Sequence, residues 1–175
     1  MFSVRRSQCP RAGMGQAKPL RIRKEPFEVE LALAGRSPRR VEIYLAEHGP
    51  HAFVRQKVLD LLEQPGSFLP ACDVETGLWE SFNARAVVWI AMSRDSAAAE
   101  GSTEELYDFR KFVRLALSGG GALEGEILYS APDGETRLVD FLNRPERFLK
   151  VWDGDRLYLV SKESVLRVVE NGEEI

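Results

Sequence analysis

The stretch RLVDFLNRPERFLKVWD, residues 137–153, decides how this chain is read. Leu138, Phe141 and Leu142 recur at i, i+3 and i+4, the spacing of one apolar helix face. Thr136 stands where a hydroxyl can cap the first free backbone N–H, and Asn143 can take the left-handed conformation that ends a helix. Pro145 forbids continuation, and RFLKVWD then reads as a strand. An earlier segment, VLDLLEQPGSFLPACD at 58–73, aligns with 138–153 without a gap, matching Asp60 with Asp140, Pro65 with Pro145, Phe68 with Phe148 and Asp73 with Asp153.

Working outward from this block, the likeness extends both ways. VELALAG (29–35) and VRLALSG (113–119) agree at five of seven positions, VEI (41–43) parallels GEI (125–127), and GLWESFNARAVVWI (77–90) parallels RLYLVSKESVLRVV (156–169). Four blocks in the same order indicate two copies of one unit. In VRLAL, Val113, Leu115 and Leu117 alternate with Arg114 and Ala116, the period of a half-buried strand. SGGG (118–121) supplies residues that accept positive φ for a hairpin turn. EGEILYS, RFLKVWD, RLYLV and VLRVV complete five strands around one short helix. The expected fold class is therefore mainly β with short inserted helices, a tandem duplication of a small five-stranded barrel. The boundaries are a disordered basic arm over 1–24, a first repeat over 25–92, a Ser/Ala/Glu linker over 93–107 and a second repeat over 108–171, packed as a pseudo-dimer within one chain. Val29, Leu31 and Leu33 should face one core, and Val113, Leu115 and Leu117 the other. The helix over 136–143 should plug its own barrel, with Phe141 inward and Asp140 outward, and 54–63 should do the same in the first copy.

The 175 residues carry a net charge of -3 that conceals an asymmetry. Residues 1–24 hold seven basic side chains and no acid, leaving 17 basic against 27 acidic in the remainder, a balance of -10. An acidic body disfavours a broad surface for nucleic acid or anionic lipid, which needs clustered Lys and Arg. The arm has no apolar core of the length a secretory signal needs, and Met14 is a second candidate start. No run of about 18 apolar residues offers a membrane span. Cys9 and Cys72 make no disulfide framework, so a reduced, cytoplasmic protein is the simplest expectation.

The strand order of the second repeat resembles that of the Sm-like proteins, small bent barrels of SH3 type. Val113–Gly121 resembles their first strand and turn, LEGEIL (123–128) their glycine-containing second strand, and LVSKESVLRVVE (159–170) their last hairpin. The resemblance implies a small barrel and, where an Arg-Gly or Lys-Gly pair occupies the last hairpin, RNA binding. Here those positions read Ser161-Lys162 and Asn83-Ala84, so the implication for RNA does not carry over. The helix between the second and third strands is also extra. RLVDFLN further resembles a motif of uncharacterised bacterial proteins of this barrel type, which implies no activity. A PilZ domain is excluded, because its Asp/Asn-x-Ser-x-x-Gly motif is absent from RDSAAAEG.

Candidate chemistry is sparse. Glu47, His48 and His51 could ligate a metal with Cys72 as a fourth donor, but the second copy has no counterpart and a solvated turn explains them better. Asp60 and Asp140, at equivalent positions beside apolar neighbours, could be paired carboxylates for acid–base work; a solvated helix face is the simpler role. The sequence has no phosphate-cradling Gly-x-x-x-x-Gly-Lys and no Gly-x-Ser-x-Gly elbow. Trp79, Trp89, Trp152 and Tyr158 are expected to pack within or between repeats. The expectation is a non-enzymatic protein-interaction or regulatory module with no cofactor, no metal and an unknown protein partner, with Asp60, Asp140, Asn143 and Arg137 as candidate contact residues. The alternative is an RNA-binding Sm-like protein.

Overall fold

The computed structural model describes residues 24–47, 56–64, 68–93, 96, 107–132, 134 and 136–170. In chain order they form β1 (Lys24–Leu33), β2 (Arg39–Ala46), α1 (Val58–Glu63), β3 (Phe68–Asp73), β4 (Trp79–Asn83), a 3-10 turn (Ala84–Ala86), β5 (Val87–Ser93), β6 (Phe109–Leu117), β7 (Ala122–Tyr129), α2 (Leu138–Leu142), β8 (Phe148–Asp153), β9 (Arg156–Ser161), a second 3-10 turn (Lys162–Ser164) and β10 (Val165–Glu170). The fold is mainly β, its described ladders are antiparallel, and the helices are two short insertions. No helix among the described residues is long and apolar enough to cross a membrane. The basic arm up to Arg23, the histidine-bearing turn, Pro65 and nearly all of the expected linker lie outside the described residues.

The chain divides into two compact units. Of the described residues, one holds those from Lys24 to Leu31 and from Pro38 to Ala86, the other those from Ala32 to Ser37 and from Val87 to Glu170. In the first, the strands are ordered β1-β2-β3-β4; in the second, β10-β6-β7-β8-β9-β5. Among the described residues no ladder closes either unit into a barrel, and β5, expected to close the first barrel, pairs instead with β9.

The alternating pattern of VRLAL does what its period demands. Val113, Leu115 and Leu117 are buried, and Val29 and Leu31 are buried likewise, while Leu33 at the end of β1 is only partly covered. The β6–β7 turn runs through Gly119 and Gly120, both at positive φ, and is closed by the Leu117 N–H donating to the Gly121 carbonyl at 2.8 Å. Gly125 has a different role. A Cβ there would run into the Trp152 carbonyl oxygen on β8 and lie 2.9 Å from a Val151 methyl. Glycine therefore lets β7 and β8 approach where a single residue pair, Glu126 with Trp152, joins them.

The registers repeat between units. Val29 pairs with Val41 as Val113 pairs with Gly125, and Leu31 with Arg39 as Leu115 with Leu123. Phe68 pairs with Asn83 as Phe148 with Ser161, and Leu69 with Phe82 as Leu149 with Val160. These last ladders equate Asn83 with Ser161, whereas the matching of residues 77–90 to 156–169 sets Asn83 against Lys162. The difference is one residue. The β3–β4 turn is longer than the β8–β9 turn, and residue matching places the extra length only to within a position.

Both helices sit as the i, i+3, i+4 spacing predicts, but on different residues than expected. In α1, Val58, Leu61 and Leu62 are all buried. In α2, Leu138 is the buried residue, packed with Val113, Leu115, Ile127, Tyr129, Leu149 and Val151, while Phe141 and Leu142 lie partly buried against that cluster. Phe141 stacks on Tyr129 at 4.8 Å between ring centroids, and Tyr129 stacks on Phe109 at 5.2 Å. The helix ends differ from expectation too. Thr136 provides no side-chain cap: Arg137 is the N-cap, and the Thr136 carbonyl accepts from the Tyr129 hydroxyl at 3.0 Å. Asn143 is not left-handed (φ -83, ψ 0), because its N–H already donates to the Val139 carbonyl at 3.1 Å and Pro145 finishes the stop.

Leu138→Ala should cost about 3 kcal/mol, as for a buried leucine that leaves a cavity. Phe141→Ala should cost less, about 2 kcal/mol, and Asp140→Ala should stay within about 0.5 kcal/mol. Denaturant unfolding of the three variants checks the order. Gly125→Val, which installs the residue found at Val41 in the first repeat, should cost about 2–3 kcal/mol through overpacking; unfolding at wild-type denaturant concentration would show that β7 and β8 are free to move apart.

Candidate functional site: the outer face of the β3–β4 hairpin

A strand sends alternate side chains to opposite faces, so ladder partners sort the residues of β2, β3 and β4. Val41, Ile43, Leu69, Ala71, Asp73 and Phe82 share the core face, with Arg39 and Glu80 at its margin. Phe68, Pro70, Cys72, Trp79, Ser81 and Asn83 share the other, with Glu42 and Tyr44, and of these Cys72 is fully buried. On that outer face Phe68 is 66% exposed and Trp79 45% exposed, Pro70 and Ser81 are exposed beside them, and Leu78 next to Trp79 is 54% exposed. Single exposed apolar side chains are ordinary, but a contiguous group on one hairpin marks a contact surface. Tyr44 lies under Trp79, the rings stacked 5.0 Å apart at 20°, which holds the indole flat over the sheet. Burial and the neighbouring Glu42 carboxylate push the Tyr44 hydroxyl above its ordinary pKa, so it stays a neutral donor.

The corresponding face of the second unit is covered. Phe148 and Trp152 on β8 and Leu157, Leu159 and Ser161 on β9 are buried. The sequence gives no warning of this contrast, because Phe68 and Phe148 occupy matching positions in matching blocks. β9 differs from β4 in having β5 as its second neighbour.

The turn joining β3 to β4 is rigid. Asp73 Oδ1 accepts from the Glu75 N–H at 3.1 Å, the Thr76 N–H at 2.7 Å and the Thr76 hydroxyl at 2.8 Å. Arg39 extends the network, with Nη1 3.7 Å from Asp73 Oδ2 and Nη2 in contact with Glu80. The hydrogen bonds from Thr76, more than the Arg39 charge, hold the Asp73 carboxyl below the usual carboxylate range.

The residues singled out from sequence do not assemble into one site. Asp60 accepts from the Lys57 N–H at 3.0 Å and so ties down the start of its own helix. Asp140 occupies the same helical position in α2, and Arg137 and Asn143 are that helix's two caps, with the Arg137 carbonyl accepting from the Asp140 N–H at 3.1 Å. Asp60 belongs to one compact unit, and Asp140, Arg137 and Asn143 to the other. His48 and His51 lie outside the described residues, and among those described no three His, Cys, Asp or Glu side chains could hold a metal. Cys72, expected as a reduced thiol, is instead disulfide-bonded and fully buried; Cys9, the one other cysteine, lies outside the described residues. The cysteines therefore carry no argument for a reducing compartment. Of the four aromatic residues expected to pack, Trp152 and Tyr158 are buried and Trp89 meets Tyr158 edge to face, whereas Trp79 faces outward.

A carboxylate with a depressed pKa stabilises the fold above its unfolded pKa and loses that contribution as pH falls through the folded value. Asp73→Asn should accordingly be less stable than wild type at pH 7, and the gap should shrink below about pH 4, where the unfolded-state carboxyl, with a reference value of 3.8, begins to protonate. Unfolding curves from pH 3 to 7 measure it, and a gap that is constant over that range would show that the negative charge of Asp73 contributes nothing.

Compared with known proteins, the chain matches no family model, no curated protein and no solved structure.

Proposed function

We propose that this protein is a non-enzymatic interaction module built from a tandem duplication of a small bent, Sm-like sheet, and that the β3–β4 hairpin is its docking surface. The registers of β1–β2 and β6–β7, the matched helices and the matched 3-10 turns support the duplication. One observation carries the functional reading: Phe68, Leu78 and Trp79 are exposed together on a hairpin whose turn is fixed by Asp73 and whose indole is fixed by Tyr44. A preorganised apolar surface loses little conformational freedom when a partner covers it, which is how aromatic anchors contribute to binding. β4 adds an open strand edge, since among the described residues it pairs with β3 alone. An extended partner segment can therefore add as a strand, gaining main-chain hydrogen bonds beside the apolar anchors.

RNA binding, the other reading, is less well supported. Stacking bases on Trp79 calls for a cation nearby to meet the phosphates. The two arginines of β2 already have acidic partners, Asp73 and Glu80 for Arg39 and Glu28 for Arg40.

Trp79→Lys should leave the unfolding midpoint nearly unchanged, the site being half-exposed. It should remove protein partners captured by immobilised full-length chain. Equal capture by wild type and variant would sink the hairpin as the docking surface. RNA retained on a filter at both low and high salt by the wild type, and lost in Trp79→Lys, would favour nucleic acid instead.

A further inference from the structure

Cys72 of β3 stands on the outer face of the first unit, between its two ladder partners, Glu42 of β2 and Trp79 of β4. It is fully buried and disulfide-bonded. The 175 residues contain one other cysteine, Cys9, in the basic arm that precedes β1. Bonded sulfurs must bring their Cβ atoms to about 4 Å of each other. A buried sulfur is out of reach of a second molecule at that distance, so the bond points to a partner from the same chain.

The surroundings of Cys72 are acidic. Glu42 is its ladder partner, Glu28 continues the same row on β1, and Glu30 stands in the next row beside Arg40, whose guanidinium lies 3.6 Å from Glu28. The arm has the opposite charge. Arg5, Arg6 and Arg11 lie within four residues of Cys9, and no acid occurs before Glu25. Bringing Cys9 to Cys72 therefore brings three guanidinium groups to three carboxylates, an attraction of order 1 kcal/mol or more for each close pair. The length of chain fits as well. Residues 10–23 join Cys9 to β1. Extended, they span up to about 45 Å, ample to return from β3 across two strand spacings of about 4.8 Å.

We infer that residues 1–23 are seated on the β1–β3 part of this face, fastened by a disulfide between Cys9 and Cys72 with Arg5, Arg6 and Arg11 against Glu28, Glu30 and Glu42, and that reduction releases them. Phe68 and Trp79 stay open beside the seated arm, so the inference stands whether or not a partner docks on the hairpin. In the release step a dithiol reductant breaks the Cys9–Cys72 S–S bond and is itself oxidised to a disulfide. Its two electrons and two protons pass to the two sulfurs, leaving a thiol at each cysteine. The six basic side chains of the arm are thereby withheld in an oxidising compartment and presented in a reducing one.

The full chain is treated with oxidised glutathione, alkylated, and digested without reduction. Mass mapping should find a peptide containing Cys9 linked to one containing Cys72, from a chain that runs as a monomer on a non-reducing gel. Under native conditions trypsin should cut after Arg5, Arg6 and Arg11 about tenfold more slowly in the oxidised chain than in the chain reduced with dithiothreitol, because cleavage follows the population in which a segment is free. Cys9→Ser, which leaves the sheet itself unaltered, should be cut at the reduced rate with no reductant present and should keep wild-type circular dichroism. Glu28→Gln combined with Glu42→Gln should retain the disulfide and still be cut faster than wild type, since the tether remains while the attraction is lost. The inference is overturned by two unlinked cysteines, by a link between copies, by equal cleavage of the oxidised and reduced chains, or by a charge-removed variant cut no faster than wild type.

Discussion

Every β-strand has two hydrogen-bonding edges, and a sheet is stable only to the extent that those edges and its apolar face are covered. This constraint organises the molecule. The alternating strands β1 and β6 each turn one row of branched side chains inward, and the neighbouring strands must follow in a register that keeps their apolar rows on the same side. Once β1–β2 and β6–β7 are in register, the remaining strands inherit their faces. Edges are less evenly provided for. β9 is paired on both sides and its residues from Leu157 to Ser161 are buried; β4 and β10 are paired on one side and stay partly open.

The inserted helices serve the same constraint from the other direction. A short sheet bends, and a bent sheet leaves an apolar opening that strands alone do not fill. α2 fills one with Leu138 and adds a stack from Phe141 through Tyr129 to Phe109. Helices of five or six residues cannot be stable by themselves. They persist because the buried residues at the first, fourth and fifth positions of α1 are held by the core, and because caps such as the Asp60 carboxylate satisfy the free backbone groups at the ends. The acids that looked like paired catalytic groups thus hold equivalent places on two such helices, and one of them is seen serving the helix itself.

The candidate site arises where two matching hairpins differ in their surroundings. Phe68 and Phe148 occupy matching positions at the start of β3 and β8, each followed by leucine and each paired with the corresponding residue of the next strand, Asn83 and Ser161. One is exposed and the other buried. The exposed face on β3–β4 is therefore not a special motif but ordinary inner-strand chemistry left at an edge. The fixed geometry of Asp73, Thr76, Arg39 and Glu80 keeps that edge ordered.

The sequence by itself determined what depends on neighbours in the chain. The period-2 rows of VELAL and VRLAL, the glycines of the β6–β7 turn and the i, i+3, i+4 spacing of 58–62 and 138–142 set strands, turns and helices, because periodicity and backbone freedom are local properties. The internal likeness likewise exposed Asp60 and Asp140 as equivalent. What needed the tertiary structure was everything set by which strand lies beside which. The placement of β5 against β9, the one-residue shift between matched blocks, the close approach that only Gly125 permits, the bonded state of Cys72 and the exposure of Trp79 all depend on pairing across long separations in the chain. Hydrogen bonds between distant backbones leave no trace in local composition, so a strand destined for an edge and one destined for the middle of a sheet can be written with nearly the same residues.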